Sequence, residues 1–256
     1  MPRPHIEFIH SLDLPVSRPD GGWFAGAQVR VLSEDDTDGS QSLLVRVPGF
    51  WKGDWAGLDR PVEVFILRGR MVVGGQELVE GRYAWVPSGA RDRAISTTED
   101  TLFIAFVEPV RAVEGEVEVT DSNEMPWEPI GVAQGTASGI HRKMLRRDPV
   151  TGDDTYMVAA VAYWMDDKAE RHPTIQEGFI IRGDCLDGRA GGMVPGDYFW
   201  RPAMGPHGPM FTHSGNLFLF RTKGGSWDVT YEDVPEWRTL VQRYKSQQPF
   251  FPVTDW

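Results

Sequence analysis

The chain contains one phrase twice, and this repetition constrains its fold more than any other feature. Residues 81–94 read GRYAWVPSGARDRA and residues 196–209 read GDYFWRPAMGPHGP, with Gly, Tyr, Trp and Pro at the same spacing. Two apolar segments, VEVFILRG in the first half and QEGFIIRG in the second, align at nearly the same offset. The repeat covers approximately residues 23–108 and 138–223. We therefore expect two similar domains.

Both halves consist of short apolar runs, rich in β-branched and aromatic residues and separated by Gly, Pro, Asp and Ser. This pattern predicts β-strands throughout. Short antiparallel strands hide their edges by closing into a barrel or by forming two packed sheets, so we expect two jelly-roll or barrel domains. The one predicted helix is VPEWRTLVQRYKSQ (234–247), where Asp233 can act as N-cap and Pro235 suits the first turn. The predicted fold is all-β with a short C-terminal helix.

The ends of the repeat predict the domain boundaries. The segment between the two copies is acidic and then contains Pro and Gly, which is typical of a linker. We predict an N-terminal arm (1–22), a first domain (23–115), a linker (116–137), a second domain (138–230) and a C-terminal helix and tail (231–256).

Charge and hydropathy argue against several classes of function. The chain has 26 basic and 37 acidic residues, a formal net charge of -11, so we expect binding neither to nucleic acid nor to membranes. The N-terminus has no apolar run of signal-peptide length, and no later run could span a bilayer, so we expect a cytoplasmic protein. Cys185 is the only cysteine, which fits a reducing compartment.

A strand, a Gly turn, the spacing G(x)5P and a further strand make each half resemble the cupin superfamily. The first motif of that superfamily reads roughly HxHxxxE(x)6G, and its second reads G(x)5P followed closely by a histidine. In the second half, ERHPTIQEGFIIRG occupies the first motif and GDYFWRPAMGPH the second. The flanking segments GIHRKMLRRDPVTGDDT and HGPMFTHSGN resemble the ChrR-like cupin group in particular. The two copies together resemble a bicupin.

The resemblance assigns the site positions of the second half. Counting back from Gly183, the metal-binding Glu of the family falls on Gln176, and its two first-motif histidines fall on Glu170 and His172; the later histidine is His207. Glu170, His172 and Gln176 share one parity, so on a strand they can all face the barrel interior. Two imidazoles and one carboxylate are the ligand set of non-haem Fe(II) oxygenases. We therefore expect a divalent transition metal, preferably Fe(II), with Mn, Ni, Co or Zn also compatible.

The first half is predicted to have no metal site. The corresponding positions there are Ala56, Leu58, Val62 and Asp92, and the first copy of the repeat contains no histidine. Apolar side chains at these positions would fill the barrel rather than coordinate an ion. The first domain is therefore expected to be a scaffold and the second to carry the site.

Two residues near the predicted ligands have alternative roles. Gln176 either adds a weak oxygen ligand or hydrogen-bonds a bound water. Glu177 has the opposite parity and joins the site only if a bulge shifts the register; Glu63 occupies its place in the first half, which favours a structural role. Glu170 and Glu177 are the two candidate catalytic residues, because an unligated carboxylate can accept a proton.

The predicted function is a metal-dependent cupin enzyme that acts on a small, mostly apolar substrate in the second barrel. The resemblance favours an Fe(II) dioxygenase, with lyase, isomerase or hydrolase chemistry as further options. The alternative is a metal-free or sensory bicupin that binds a small molecule without turnover. Arg201 is expected at the surface or in an ion pair, although an arginine in the pocket would bind a substrate carboxylate well. The N-terminal arm could support a homodimer. The predicted substrate pocket consists of Phe179, Met193, Met210, Phe211, Phe218 and His141.

Overall fold

The computed structural model describes residues 2–130, 138–224, 228–234, 236, 237 and 239. The chain divides into two compact units, the first comprising Met1–His5 and His10–Pro126 and the second Ile6–Ile9 and Trp127–Trp256. Both units consist of β-strands, which confirms the all-β prediction. Trp237 and Thr239, inside the predicted C-terminal helix, are helical, and most of that segment lies outside the described residues. No described helix is long and apolar enough to cross a membrane.

The N-terminal strand β1 (Ile6–His10) is followed by a 3-10 helix at Ser11–Asp13. The first unit then contains ten strands: β2 (Gln28–Glu34), β3 (Gln41–Val47), β4 (Lys52–Asp54), β5 (Val62–Arg68), β6 (Arg70–Val73), β7 (Gln76–Val79), β8 (Arg82–Val86), β9 (Ala94–Thr97), β10 (Thr101–Val107) and β11 (Glu118–Asp121). They form a six-stranded sheet in the order β11-β8-β5-β10-β3-β2 and a four-stranded sheet in the order β4-β9-β6-β7. The buried core of this unit is apolar and includes Val62, Val64 and Val86.

The second unit contains the remaining strands: β12 (Glu128–Pro129), β13 (Ile140–Arg147), β14 (Asp154–Ala160), β15 (Met165–Asp166), β16 (Lys168–Arg171), β17 (Ile175–Gly183), β18 (Cys185–Asp187), β19 (Gly191–Met193), β20 (Asp197–Arg201), β21 (Met210–Phe211), β22 (Asn216–Lys223) and β23 (Thr230–Asp233). They form a seven-stranded sheet, which includes β1, in the order β1-β20-β17-β22-β14-β13-β12. A four-stranded sheet, β15-β21-β18-β19, and a pair, β16-β23, complete the unit.

The two large sheets have the same central order, β8-β5-β10 in the first unit and β20-β17-β22 in the second. These strands carry the repeated sequence, so the two copies of the sequence form the same arrangement of strands. The segment predicted as linker (116–137) contains β11, which pairs with β8, and β12, which pairs with β13. Residues 131–137 lie outside the described part of the chain.

The repeated glycine at the end of VEVFILRG and QEGFIIRG has a conformational reason. Gly69 and Gly183 have φ angles of 90° and 80°, a region that side chains rarely adopt. A Cβ would lie 2.5 Å from the Asp100 carbonyl oxygen at Gly69, and 1.8 Å from the Gly215 carbonyl oxygen at Gly183. Both copies therefore need glycine where the strand turns back.

Candidate metal centre

Glu170 and His207 lie opposite each other in an isolated antiparallel β-bridge. The Glu170 N–H donates to the His207 carbonyl at 2.9 Å, and the His207 N–H donates to the Glu170 carbonyl at 3.1 Å. Side chains of directly opposed residues lie next to each other. Accordingly, Glu170 Oε1 is 2.9 Å from His207 Nε2. The backbone pairing thus sets the contact between the acid and the histidine.

His172 completes a cluster of three potential metal ligands. Its ring centroid lies 5.0 Å from that of His207, with the ring planes at 77°. The Met204 N–H donates to the His172 carbonyl at 2.8 Å, which ties the loop before His207 to this segment. Ligand atoms of Glu170, His172 and His207 lie within 4.8 Å of one another. Across the described residues, no other group of three or more His, Cys, Asp or Glu side chains meets in this way.

The sequence pattern predicts that Glu170, His172 and Gln176 lie on one strand. In the structure they do not. Glu170 lies on β16 and Gln176 on β17, and the chain leaves the strand conformation at His172. Pro173 explains the interruption, because proline has no N–H to donate to a neighbouring strand. Gln176 is buried next to the cluster, and its side chain lies beside Tyr156 and His172.

Both histidines are held by oxygens at Nδ1. His172 Nδ1 lies 3.0 Å from the Thr174 carbonyl oxygen and 2.7 Å from its hydroxyl, and His207 Nδ1 lies 3.1 Å from the Gly205 carbonyl oxygen. A carbonyl only accepts, so these contacts favour a proton on Nδ1 and leave Nε2 as the coordinating nitrogen. Metal-bound histidines are usually oriented by this type of contact.

Burial sets the charge state of the cluster. Burial, followed by repulsion from His207, lowers the pKa of His172 to about 4, so this ring is neutral at pH 7 and able to bind a metal. Burial raises the pKa of Glu170, but its hydrogen bond with His207 and the nearby positive charges outweigh this effect and lower it overall. The side chain of His207 is almost fully buried, whereas that of Glu170 is 25% exposed. The cluster is therefore reached from the side of Glu170.

Glu177 has a different environment. Tyr198 donates its hydroxyl to Glu177 Oε2 at 2.6 Å, and the Arg221 guanidinium donates to Oε1 at 2.8 Å. The first unit contains the same contact, in which Tyr83 donates to Glu63 at 2.8 Å. Glu177 is thus held by a contact that recurs in a unit without the histidines, and the structure does not place it among the three clustered ligands.

The predicted pocket residues occupy several positions. Met193 and Phe218 belong to one buried cluster with Phe199, and Met210 packs against it. Phe211 lies in a separate cluster with Trp237. Phe179 is on the face of β17 opposite to Gln176, because side chains alternate along a strand. His141 is partly exposed on β13, which β14 and β22 separate from β17.

The first unit fills the corresponding space with apolar groups. Leu58 and Val62 are buried in its core, as the sequence comparison predicts. The Trp55 N–H donates to the Arg93 carbonyl at 3.2 Å, which reproduces the backbone contact of Glu170 with His207. The fully buried Trp55 indole therefore stands where the second unit has its carboxylate.

The backbone contact between Trp55 and Arg93 shows that two residues of the first unit were matched to the site one position away from the true equivalents. Ala56 and Asp92, expected to correspond to Glu170 and His207, are exposed. The buried Arg93 takes the place of His207, and its guanidinium donates to the carbonyl oxygens of Leu58, Ser88 and Arg60. The shift arises because strand pairing, rather than the count from the glycine, decides which residues are opposed.

Arg201 forms an ion pair with Asp187, one of the two arrangements expected for it, but its burial was not expected. It is 1% exposed, its Nη2 lies 2.8 Å from Asp187 Oδ2, and its guanidinium stacks 4.2 Å from the centroid of the Phe199 ring. The missed signal was the repeat itself, because the aligned residue of the first unit is Val86, which is buried in the core. A charged residue at a core position of a repeat indicates a buried polar site.

Comparison with known proteins identifies a similar family and similar folds. Residues 116–225 match the family described as ChrR Cupin-like domain. A provisionally named dioxygenase from Nostoc punctiforme has a similar fold, with a TM-score of 0.73, 17% identity, and 91% of this chain and 87% of that chain covered. Bacillus subtilis oxalate decarboxylase has a TM-score of 0.57 at 13% identity, covering 97% of this chain and 87% of the other. A sequence comparison with curated proteins finds no match.

At these identities the structural similarity concerns the fold, and it confirms the predicted cupin architecture. A separate study of the Bacillus subtilis oxalate decarboxylase describes its Mn(II) centres.

Proposed function

We propose that the second unit is a mononuclear metal-dependent oxygenase, because residues 116–225 match the ChrR Cupin-like domain and the fold is similar to that of a bicupin. Its substrate is a small organic molecule. The proposal rests on one observation above all, the buried cluster of Glu170, His172 and His207. The first unit serves as an internal comparison without the cluster, because Trp55 and Arg93 occupy the positions of Glu170 and His207 there.

The donor set fits a divalent transition metal. Glu170, His172 and His207 would supply two imidazole nitrogens and one carboxylate oxygen to a bound ion, the donor set typical of non-haem Fe(II) oxygenases. Neutral His172 needs no deprotonation before it binds. A bound ion would supply Lewis acidity and an open site for oxygen and substrate.

The contact between Glu170 and His207 carries a proton that an ion would replace. Nδ1 of His207 faces a carbonyl oxygen and Nε2 faces a carboxylate oxygen, and both of those oxygens accept. A proton between Nε2 and Oε1 therefore satisfies the metal-free pair. Metal binding would release this proton, because ligands bind in their deprotonated form.

Glu170 is the carboxylate we assign to proton transfer. Its second oxygen and its partial exposure leave it accessible, whereas both oxygens of Glu177 already accept hydrogen bonds. Aromatic walls line the sheet face that carries Gln176: Phe199 and Phe220 are the register partners of Gly178, with ring centroids 5.8 Å apart, and Phe218 stacks on Phe220 at 5.0 Å. Such walls suit a substrate with an apolar body.

Metal analysis of protein purified without chelator tests the proposal directly. We expect about one equivalent of a transition metal per chain, with iron preferred over manganese, and its loss in His172→Ala and in His207→Ala. His213→Ala is the matched control, since His213 lies outside the cluster and contacts Tyr163. Metal content that is absent from the native protein, or unchanged in the two cluster variants, would favour the metal-free binding protein instead.

Oxygen consumption then tests the reaction class. The iron-loaded protein is supplied with a panel of small phenols and diketones, and oxygen uptake is followed together with the products. Incorporation of oxygen into a product that depends on His172 and His207 supports the oxygenase. Turnover of a substrate without oxygen uptake would assign lyase, isomerase or hydrolase chemistry to the same centre.

A further inference from the structure

Arg201 is a buried cation whose hydrogen bonds are incomplete. One of its nitrogens, Nη2, donates to Asp187, but Nε and Nη1 are buried and have no hydrogen-bond partner among the described residues. Buried polar groups nearly always have a partner, and an unsatisfied one lowers stability. The Nε and Nη1 N–H groups of the guanidinium thus have no acceptor among the described residues.

These N–H groups belong to the same interior as the metal cluster. Arg201 is paired in register with Gln176, so their side chains lie on one face of the sheet, and the Gln176 side chain lies beside His172. The partner of Arg201, Asp187 Oδ2, also accepts from the backbone N–H of Gly208 at 3.3 Å, and Gly208 directly follows His207. Arg201 is therefore connected to the surroundings of His172 through Gln176 and to the backbone next to His207 through Asp187 and Gly208.

The repeat shows that the fold does not require an arginine here. The aligned strand β8 has Val86 at this position, fully buried in an apolar core. A buried cation is costly, and replacing such a residue with an apolar one of suitable size is often stabilising. An arginine kept at this position in the unit that also has the histidines indicates a role in binding a ligand.

We propose that Arg201 binds the carboxylate group of the substrate, so that the substrate class is a small organic acid with an apolar body. Nη1 and Nη2 form one edge of the planar guanidinium, and Nη2 has a second N–H besides the one that Asp187 accepts, so this edge can donate two parallel hydrogen bonds to a carboxylate. Charge agrees with this assignment, because a divalent ion and Arg201 together exceed the two negative charges of Glu170 and Asp187 by one. This inference rests on the proposed function for the bound metal, whereas the contact between Arg201 and a carboxylate does not require the metal. Metal binding and carboxylate binding are therefore tested separately.

Binding is measured by calorimetry on the zinc-loaded and on the metal-free protein, which removes turnover from the experiment. The probes are two matched pairs, benzoate with benzamide and pyruvate with butanedione, which differ in the carboxylate. The variants are Arg201→Lys, which keeps the charge but not the planar fork, and Arg201→Gln combined with Asp187→Asn, which removes both buried charges together. Arg147→Gln is the control, because Arg147 lies in an exposed ion pair of the same unit.

We expect at least one carboxylate to bind wild-type protein about tenfold or more tightly than its neutral partner, with this preference lost in both Arg201 variants and kept in the control. Equal affinity for the acids and their neutral partners, or no measurable binding of either acid, would overturn the proposal. So would a carboxylate preference that persists in both variants. A protein whose carboxylate preference depends on Arg201 but which retains no metal would refute the oxygenase and support the anion site. A protein that retains metal but shows no carboxylate preference would refute the anion site and leave the oxygenase supported.

Discussion

The hydroxyl of Tyr198 offers a direct test of whether Glu177 belongs to the fold or to the site. Tyr198 donates to Glu177 at 2.6 Å, and Tyr83 donates to Glu63 at 2.8 Å in the first unit. Both tyrosines are at most 2% exposed. Replacing each with phenylalanine removes the same contact from two units, only one of which has the histidine cluster.

The expected cost follows from the contact that is lost. A hydrogen bond to a charged group contributes about 1.5–3 kcal/mol to stability. Phenylalanine keeps the ring, so little cavity is created. Glu177 retains its bond from Arg221 at 2.8 Å in the variant. We therefore expect Tyr198→Phe and Tyr83→Phe each to lower the free energy of unfolding by about 2 kcal/mol.

Urea unfolding, followed by tryptophan fluorescence, measures the free energy of unfolding of both variants. Metal analysis of the same samples measures how much metal each variant binds. Tyr163→Phe, at a residue that is 42% exposed, is the control and should change stability by less than about 0.5 kcal/mol. We expect the metal content of all three variants to equal that of the wild type. If Tyr198→Phe instead lowered metal content and left stability unchanged, Glu177 would belong to the metal site and our reasoning from the repeat would be refuted.

Two further predictions concern stability. Gly183→Ala should destabilise the protein by at least about 2 kcal/mol, because φ is 80° and the new Cβ would meet the Gly215 carbonyl. Gly192→Ala should change stability little, because Gly192 has open space around it. Urea unfolding of both variants measures the difference. Burial raises the pKa of Asp166 to about 6, so the folded state loses stability as pH rises from about 4 to about 6. Asp166→Asn should therefore stabilise the metal-free protein by up to about 3 kcal/mol at pH 8 and not at all below about pH 4, and unfolding that is equally affected at both pH values would contradict this reasoning.

Much of the fold was predictable because the relevant signals are local. Alternating apolar residues, turn residues and repeated glycines act within a few positions of one another, and β5 and β17 show the result at corresponding places. The division into two similar β units followed from the repetition alone. The histidines could be proposed as ligands because each lies in a motif with a fixed spacing.

The arrangement of the site depended on pairing between distant segments. Glu170 and His207 are opposed by a β-bridge between residues 37 positions apart, and Pro173 breaks the strand on which the parity argument relied. The same reason explains the one-residue error in matching Ala56 and Asp92 to the site. No spacing rule shows which of two neighbouring residues a partner strand will oppose.

By itself, the sequence determined that this chain forms a duplicated β fold and that only its second copy has histidines. The tertiary structure decided that Glu170 joins His172 and His207, that Glu177 is held by Tyr198, and that Arg201 is buried. The physical reason is that alternation assigns a side chain to one of two faces, but only the packed sheets decide which face is enclosed and what lies opposite.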